Sequence, residues 1–292
     1  MSANTITVLA PAKINLFLHV GQVQADGYHP LESLVAFADI GDRITVELSD
    51  ILRLTVGGPF GAALSQEGDN LILKGLRALG EAAGIGDPKV SVFLDKRLPI
   101  AAGLGGGSSD AGAAIRATND LLGLGLSQEV LEEISRAVGA DGPMCLRTRT
   151  AYASGVGEVL EDMPRLQPLH AVLLNPGLPS PTGAVYRAYD EEPVGTADRP
   201  LEPDFSSFDA TIDWLAAQRN DLQAPALSVT PQIAEALEIM ALVPGCRLAR
   251  MSGSGATVFG LFETRDEAIA ATLMLDRVDW WVRPVVLGDH IA

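Results

Sequence analysis

The sequence is short of cysteine, of long apolar runs and of basic residues. Its two cysteines, Cys145 and Cys246, form neither a metal-ligand pattern nor a CxxC pair. Two separated thiols suit a reducing compartment. No apolar run reaches the roughly 18 residues that suggest a membrane-spanning helix, and the first residues lack the basic start of a signal peptide. We therefore expect a cytoplasmic protein without a membrane partner.

Positive charge is scarce, because 21 Lys and Arg stand against 37 Asp and Glu, for a formal net charge of −16. Proteins that bind nucleic acid normally present a basic surface, so this balance argues against a nucleic-acid partner. It does not argue against a nucleotide, since a few local cations and backbone N–H groups can hold phosphates. Apolar residues make up 47% of the 292 residues, enough to build one large domain or two ordinary ones.

Hydrophobic periodicity predicts strands and helices without a regular βαβ alternation, which favours an α+β fold over a doubly wound sheet. Strands are expected at 5–9 and 14–20, separated by Pro11, and at 43–48 after a turn at Gly41-Asp42. The other expected elements are strands at 52–56, 89–94, 156–160, 169–174 and 285–287, helices capped by Asp69 or Asn70 and by Ser127, helices at 108–122 and 231–242, a helix after a capping box at Thr264, and a surface loop at 190–207.

A glycine-rich stretch carries the clearest functional signal. Consecutive glycines let backbone N–H groups turn toward an anion, and a following helix adds its positive dipole end. The stretch is neither a Walker A motif nor G-x-G-x-x-G. A flexible linker is the alternative, but it would not lead straight into an Ala-rich helix, so we predict a triphosphate site. The stretch is Pro99-Ile100-Ala101-Ala102-Gly103-Leu104-Gly105-Gly106-Gly107-Ser108-Ser109-Asp110.

Two segments near the N-terminus carry polar side chains. Lys13 and Asn15 are two residues apart, so in a strand they share one face and leave the other face to the core. On spacing alone, an ordinary amphipathic strand with a solvated lysine is the better interpretation. The segment Asp26-Gly27-Tyr28-His29-Pro30 joins a turn signal to an aromatic ring and an imidazole, and a plain surface turn explains it about equally well.

A carboxylate lies between glycines in Gly139-Ala140-Asp141-Gly142-Pro143. Aspartate in such a turn often bonds its own backbone, which is the alternative to a catalytic role. A second Gly/Ser cluster, at 251–259, is by itself only a hairpin signal.

Taken together, these segments resemble the GHMP kinase family of small-molecule kinases. The glycine stretch is similar to the family motif Pro-x-x-x-Gly-Leu-Gly-x-x-Ser-Ser, and the second Gly/Ser cluster resembles the family's third motif. The triple glycine, P-A-K-x-N-L and D-G-Y-H resemble the branch that phosphorylates 4-diphosphocytidyl-2-C-methyl-D-erythritol. The resemblance spans nearly the whole chain and is weakest at 190–223. It implies a GHMP kinase-like two-domain α+β fold, with a ribosomal S5 domain 2-like domain at 1–155 and a ferredoxin-like domain at 156–292.

The resemblance also implies roles for residues. ATP and Mg²⁺ are the implied cofactors, the 2-hydroxyl of the cytidine diphosphate substrate is the implied acceptor, and no metal ligand is assigned. A solvated charge at a strand end explains Lys96 equally well. The family usually has a basic residue at Gln24 and an aromatic one after Pro143, and these departures concern packing more than chemistry. The implied site comprises Lys13 and Asp141 for catalysis, Asn70, Lys96 and Pro99 through Ser109 for ATP, with Asn70 and Lys96 near its adenosine, and Asn15, Tyr28, His29 and Tyr186 for the substrate.

Three other hypotheses stay open. A GHMP kinase of the homoserine or mevalonate type would share the glycine stretch but would give no reason for D-G-Y-H. A non-catalytic nucleotide or sugar sensor would be expected to have lost Lys13 or Asp141, and both are present. A structural interaction protein would have no use for the glycine stretch.

Overall fold

The computed structural model describes residues 4–64, 70–163, 166–275, 277 and 279–289. Within these ranges strands and helices alternate irregularly along the chain. The strands are β1 (Thr5–Val20), β2 (Leu31–Leu48), β3 (Arg53–Gly57), β4 (Val90–Asp95), β5 (Ala151–Ser154), β6 (Val159–Asp162), β7 (Leu169–Asn175), β8 (Leu248–Met251), β9 (Val258–Phe262) and β10 (Trp281–Gly288). The helices are α1 (Gly61–Leu64), α2 (Leu71–Ala82), α3 (Gly106–Leu122), α4 (Gln128–Arg136), α5 (Gly142–Arg147), α6 (Thr182–Glu191), α7 (Phe208–Ala216), α8 (Gln223–Val229), α9 (Gln232–Leu242) and α10 (Arg265–Met274).

The ten strands form one mixed sheet. Its main path is β3-β4-β2-β10-β7-β9-β8, while β1 and β5 also pair with β2 and β6 pairs with β5. The strand pairs are antiparallel except β3 with β4. Strand β10 therefore joins the two halves of the chain, since it lies between β2 and β7. The α+β class is confirmed, and the domain boundary at residue 155 stays a prediction.

Strands β1 and β2 are longer than predicted. The prediction that Pro11 separates two strands is wrong, because β1 passes through it with register shifts between Pro11 and Lys13 and between Asn15 and Phe17. A proline without an N–H is tolerated at such an irregularity. The turn predicted at Gly41-Asp42 is also wrong, because β2 passes through both residues. A Cβ on Gly41 would lie 2.0 Å from the carbonyl oxygen of Ala10, so the glycine allows the two strands to approach.

Several helix signals agree with the structure. The Asn70 side chain accepts a hydrogen bond from the backbone N–H of Ile72 at 2.8 Å and caps α2, whereas the alternative cap, Asp69, lies outside the described residues. The capping box at Thr264 is present. The strand predicted at 156–160 begins later, as β6 at Val159, because Gly155 and Gly157, with φ values of 71° and 110°, make a turn between β5 and β6. Helices α5 to α8 were not predicted.

Helices cover the sheet and enclose the core. One apolar cluster packs α2, α3 and α4 against β2 and β4, and another packs α6, α8, α9 and α10 against β7 and β9. A third lies around β1, β2 and β7 and includes Ala12, Ile14 and Leu16, which form the apolar side of the Lys13 segment. Of the helices described, none has the length and apolar composition needed to cross a membrane.

Candidate active site

A cleft of about 370 Å³ opens between β1, the glycine stretch and the segment before β9. It brings together residues that are far apart in the sequence. Tyr28, His29 and Ser109 are not among the residues that line it. The residues of the implied site that do line it are Lys13, Asn15, Asn70, Lys96, Pro99 through Ser108, Asp141 and Tyr186.

The glycine stretch, residues 99–109, is tightly folded and leads directly into α3. Ala101, Gly103 and Gly105 have φ values of 50°, 71° and 61°, and Gly105 is the N-cap residue of α3. Alternating left-handed residues turn backbone N–H groups to one side, as an anion site requires. The helix therefore presents its N-terminus to the cleft two residues earlier than predicted.

The second Gly/Ser cluster packs against this stretch. Ser252 Oγ donates to the Gly103 carbonyl at 2.9 Å, and the Thr257 N–H donates to the Ala102 carbonyl at 3.1 Å. A Cβ on Gly103 would lie 2.2 Å from the Ser252 carbonyl oxygen, so only glycine fits there. Asn220, which the sequence did not single out, donates to the carbonyl oxygens of Met251 and Gly253 at 2.8 and 2.9 Å. The second Gly/Ser cluster thus fixes the glycine stretch in place through these hydrogen bonds.

Lys13 and Asp141 form an ion pair in the cleft, with Lys13 Nζ donating to Asp141 Oδ2 at 3.1 Å. The lysine is nearly buried, whereas 39% of the Asp141 side chain is exposed. Asp141 is the N-cap residue of α5, yet its side chain makes no capping hydrogen bond. This argues against the alternative of a turn residue that bonds its own backbone. The Lys13 N–H also donates to the Leu104 carbonyl at 2.9 Å, which fixes β1 to the glycine stretch.

Asn15 is held by a serine that the sequence did not reveal. Asn15 Nδ2 donates to Ser33 Oγ at 2.8 Å, and Ser33 Oγ donates to the Phe17 carbonyl at 2.6 Å. The Asn15 side-chain oxygen is buried and has no hydrogen-bond partner among the described residues. An unpartnered buried oxygen beside a cleft is suited to accept a ligand hydroxyl.

Aromatic residues lie beyond Asp141. The His29 ring lies 4.8 Å from the Tyr186 ring, centroid to centroid, and His29 Nε2 is 2.7 Å from Asp190 Oδ1. Burial, and then the negative charge of Asp141, raise the pKa of Tyr186 to about 12, so its hydroxyl stays protonated. Tyr28 is 58% exposed. The cleft is thus lined by the glycine stretch, Lys13, Asp141 and Tyr186, and the Tyr186 ring in turn packs against His29.

Lys96 is buried, which excludes a solvated strand-end charge. Its ammonium lies between Asp42 and Asp110. Ser109 is fully buried as well.

Cys145 lies against the glycine stretch, with its Sγ 3.9 Å from the Gly105 carbonyl oxygen. Burial raises the pKa of Cys145 to about 12, with a further contribution from Asp141, so this free thiol stays protonated.

Comparisons with known proteins address the whole chain. The profile for the GHMP kinases N terminal domain matches residues 70–148, and the profile for the GHMP kinases C terminal region matches residues 201–278. A 4-diphosphocytidyl-2-C-methyl-D-erythritol kinase of Caulobacter vibrioides is 48% identical over 283 residues, covering 95% of this chain and 98% of the relative.

Solved structures agree with these matches. A crystal structure of 4-(cytidine 5'-diphospho)-2C-methyl-D-erythritol kinase has a TM-score of 0.80 and 37% identity, covering 98% of this chain and 100% of that one. Homoserine kinase from Cytophaga hutchinsonii has a TM-score of 0.71 at 17% identity, covering 99% of this chain and 97% of that one. The second match shows a shared fold alone.

Proposed function

The chain belongs to the GHMP kinase family, and from that premise we propose that it transfers the γ-phosphoryl group of ATP to the 2-hydroxyl of 4-diphosphocytidyl-2-C-methyl-D-erythritol. As a family member it is an ATP-using small-molecule kinase, and the predicted GHMP-type α+β fold is confirmed. The names of the Caulobacter relative and of the solved structure at 37% identity favour this acceptor over homoserine or mevalonate.

One observation carries the proposal. The anion-binding end of α3, the Lys13–Asp141 ion pair and the aromatic side chain of Tyr186 line the same cleft. Phosphoryl transfer depends mainly on positioning and on neutralising charge, so a kinase needs these parts side by side. An aromatic ring beside the pair suits a base at the far end of the acceptor. We assign Tyr28, His29 and Tyr186 to that base.

The proposed mechanism uses the chain's own residues. The exposed carboxylate of Asp141 orients the acceptor hydroxyl and accepts its proton. The Lys13 ammonium, 3.1 Å from Asp141, stabilises the negative charge that develops on the reacting oxygen. Asn15 accepts a hydrogen bond from the acceptor through its unpartnered side-chain oxygen. The glycine stretch, from Pro99 to Ser108, holds the phosphates, while Ser109 is buried behind them, and Asn70 at the start of α2 borders the nucleotide.

Mg²⁺ is proposed from the family alone. No group of three or more His, Cys, Asp or Glu in the described part of the chain could hold a metal ion. Kinase magnesium needs no such group, since phosphates, water and one or two carboxylates usually bind it. Of the two aspartates that line the cleft, Asp110 is buried against Lys96, whereas Asp141 is partly exposed and could share the ion. When bound, the ion would neutralise part of the charge on the phosphates.

The cysteines Cys145 and Cys246 are free, in keeping with the cytoplasmic location that we propose. A sensor would bind nucleotide without turnover. A homoserine or mevalonate kinase would turn over its own acceptor and would be insensitive to cytidine nucleotides.

The test is phosphate transfer from ATP to the proposed acceptor with magnesium, for the wild type and for Asp141→Ala. We expect turnover by the wild type and a loss of at least about a hundredfold in the variant, since general acid–base groups contribute that much. Unchanged ATP binding and thermal unfolding would show that Asp141→Ala is folded. Asp87→Ala removes a carboxylate whose side chain is 62% exposed and should stay within about twofold of the wild type.

Two outcomes would contradict the proposal. If the folded wild type binds ATP but transfers nothing to this acceptor, then another acceptor or a sensor role replaces it. If CDP fails to compete with the acceptor, then the base assignment for Tyr28, His29 and Tyr186 is wrong.

A further inference from the structure

Three ionisable side chains meet in the interior beneath the glycine stretch. Asp42 comes from β2, Lys96 follows the end of β4, and Asp110 belongs to α3. Lys96 Nζ lies 2.5 Å from Asp42 Oδ2 and 2.7 Å from Asp110 Oδ2, and each side chain is at most 4% exposed. These three residues are called the buried triad below. An isolated buried charge is very costly, so each member depends on the others.

The buried triad lies directly under the start of α3. A Cβ placed on Gly106, the first residue of the helix, would be 3.0 Å from Lys96 Nζ. Lys96 and Asp110 both border the cleft. The ammonium is therefore close to the backbone N–H groups and the positive helix end that favour a bound anion.

The Lys96 ammonium has a donor to spare. It carries three N–H groups, two of which point to Asp42 and Asp110, and the third has no acceptor in the ranges that the structure describes. Tetrahedral geometry directs this third N–H away from the two carboxylates. Asp42 is itself fixed, because its Oδ1 accepts the backbone N–H groups of Arg97 and Leu98 at 2.5 and 2.8 Å. The carboxylates thus hold the ammonium in one place.

A role in stability alone explains this arrangement poorly. A purely structural ion pair would leave no buried oxygen unsatisfied, yet Asp110 Oδ1 is buried and has no hydrogen-bond partner among the described residues. Burial and the charge of Asp42 raise the pKa of Asp110 to about 8 against the opposing effect of Lys96. The raised pKa reduces the negative charge that Asp110 carries near neutral pH, and so reduces its repulsion of an anion above it.

We propose that Lys96 binds a phosphate group of the nucleotide, and that Asp42 and Asp110 are positioning residues that hold its ammonium beneath Gly106. This differs from the contact with adenosine that the family resemblance implied. The inference rests on nucleotide use by the chain and not on the identity of the acceptor.

The test compares the binding of ADP and of adenosine to the full chain by calorimetry, for the wild type and for Lys96→Met. We expect ADP affinity to fall by about ten- to a hundredfold, the usual range for a hydrogen bond to a charged group. Adenosine affinity should change by less than about twofold, because the ammonium lies at the helix end. Lys74→Met, the same change at an exposed position of α2, should alter neither affinity.

Other results would overturn the inference. An equal loss for ADP and adenosine would place Lys96 at the base, and unchanged ADP affinity would leave the triad a purely structural role. If Lys96→Met does not fold, the double variant Lys96→Gln with Asp110→Asn replaces it, because it removes one carboxylate along with the cation. Its affinities for ADP and for adenosine are then compared with those of Asp110→Asn alone. Failure of transfer to the proposed acceptor with the ADP result intact would refute the acceptor and leave this inference standing.

Discussion

The two ends of the cleft are built differently. At the phosphate end, the glycine stretch is fixed by backbone hydrogen bonds to three other segments and has fully buried charges beneath it. At the base end, Tyr28 is 58% exposed, and the nearly buried His29 ring contacts the carboxylate of Asp190, whose side chain is 37% exposed. The phosphate end is part of the core, whereas the base end lies on a loop and on the last turn of a helix.

We interpret this difference as a division between a fixed phosphate site and an adaptable acceptor site. A phosphate site must hold a conserved chemical group in one geometry, and a rigid core does that. The acceptor molecule, by contrast, differs from one kinase to another, and loops supported by a rigid scaffold can change without disturbing the core. We therefore expect changes at the phosphate end to abolish turnover and changes at the base end to act on the KM of the acceptor.

The largest effect is expected for Gly103→Ala at the phosphate end. Gly103 has a φ of 71°, and an added Cβ would meet the Ser252 carbonyl oxygen at 2.2 Å. The glycine stretch would have to move, and a displacement of about 1 Å can cost on the order of a hundredfold in rate. Steady-state kinetics should show a kcat at least about a hundredfold lower.

Gly27→Ala is the matched change at the base end. Gly27 has a φ of 84° but nothing within 4 Å of an added Cβ, so only backbone strain opposes the change. That strain is about 1–2 kcal/mol, and kcat should stay within about threefold of the wild type. Similar losses in kcat for the two variants would remove the distinction between a rigid and an adaptable end.

Sequence reasoning located the segments of the site because their residue types have local meaning. The glycine run, the Asn70 cap and the Thr264 capping box each depend on neighbours within a few residues. Contacts between distant segments left no such signal. Asp42 was assigned to a turn because it follows Gly41, yet it lies in a strand and pairs with Lys96, 54 residues later. Ser33, which holds Asn15, lies in a part of β2 that carried no prediction.

The strands were mispredicted for a related reason. Proline and glycine normally end a strand, but in β1 and β2 the register shift at Pro11 and the close approach at Gly41 keep one long pair together. Such irregularities depend on the partner strand, which a local pattern does not contain. The contact of His29 with Asp190 spans 161 residues and could not be predicted either.

An intermediate effect is expected on the pH dependence of stability at the phosphate end. The folded-state pKa of Asp110 is raised to about 8 from an ordinary value near 3.9. The folded state therefore holds a proton that the unfolded state releases, and stability falls as the pH rises between these values. The pKa of Lys96 is also raised: burial alone would lower it, but the two carboxylates outweigh burial. The stabilisation from Lys96 is therefore fully present throughout this range.

Asp110→Asn provides the comparison for this effect. The quantity to follow is the difference in the free energy of unfolding, wild type minus variant. This difference should fall as the pH is raised from about 5 to 8, by at most about 1.4 kcal/mol per pH unit. Denaturant unfolding at several pH values measures it. A difference that stayed flat or rose with pH would mean that Asp110 is ionised in the folded protein.

The smallest effect is expected for Asp190→Asn at the base end. Its carboxylate orients the His29 ring against Tyr186 through a contact of 2.7 Å, and a hydrogen bond whose acceptor is partly exposed contributes only about 0.5–1 kcal/mol. The KM of the acceptor should rise by about two- to fivefold, while kcat and the KM of ATP stay unchanged. Glu191→Gln, the neighbouring exposed position, removes the same charge without the contact and should leave all three constants unchanged. If both variants raised the acceptor KM equally, general charge would explain the effect. A rise in the KM of ATP after Asp190→Asn would instead show that the two ends are coupled, and the base end could then not vary independently of the phosphate end.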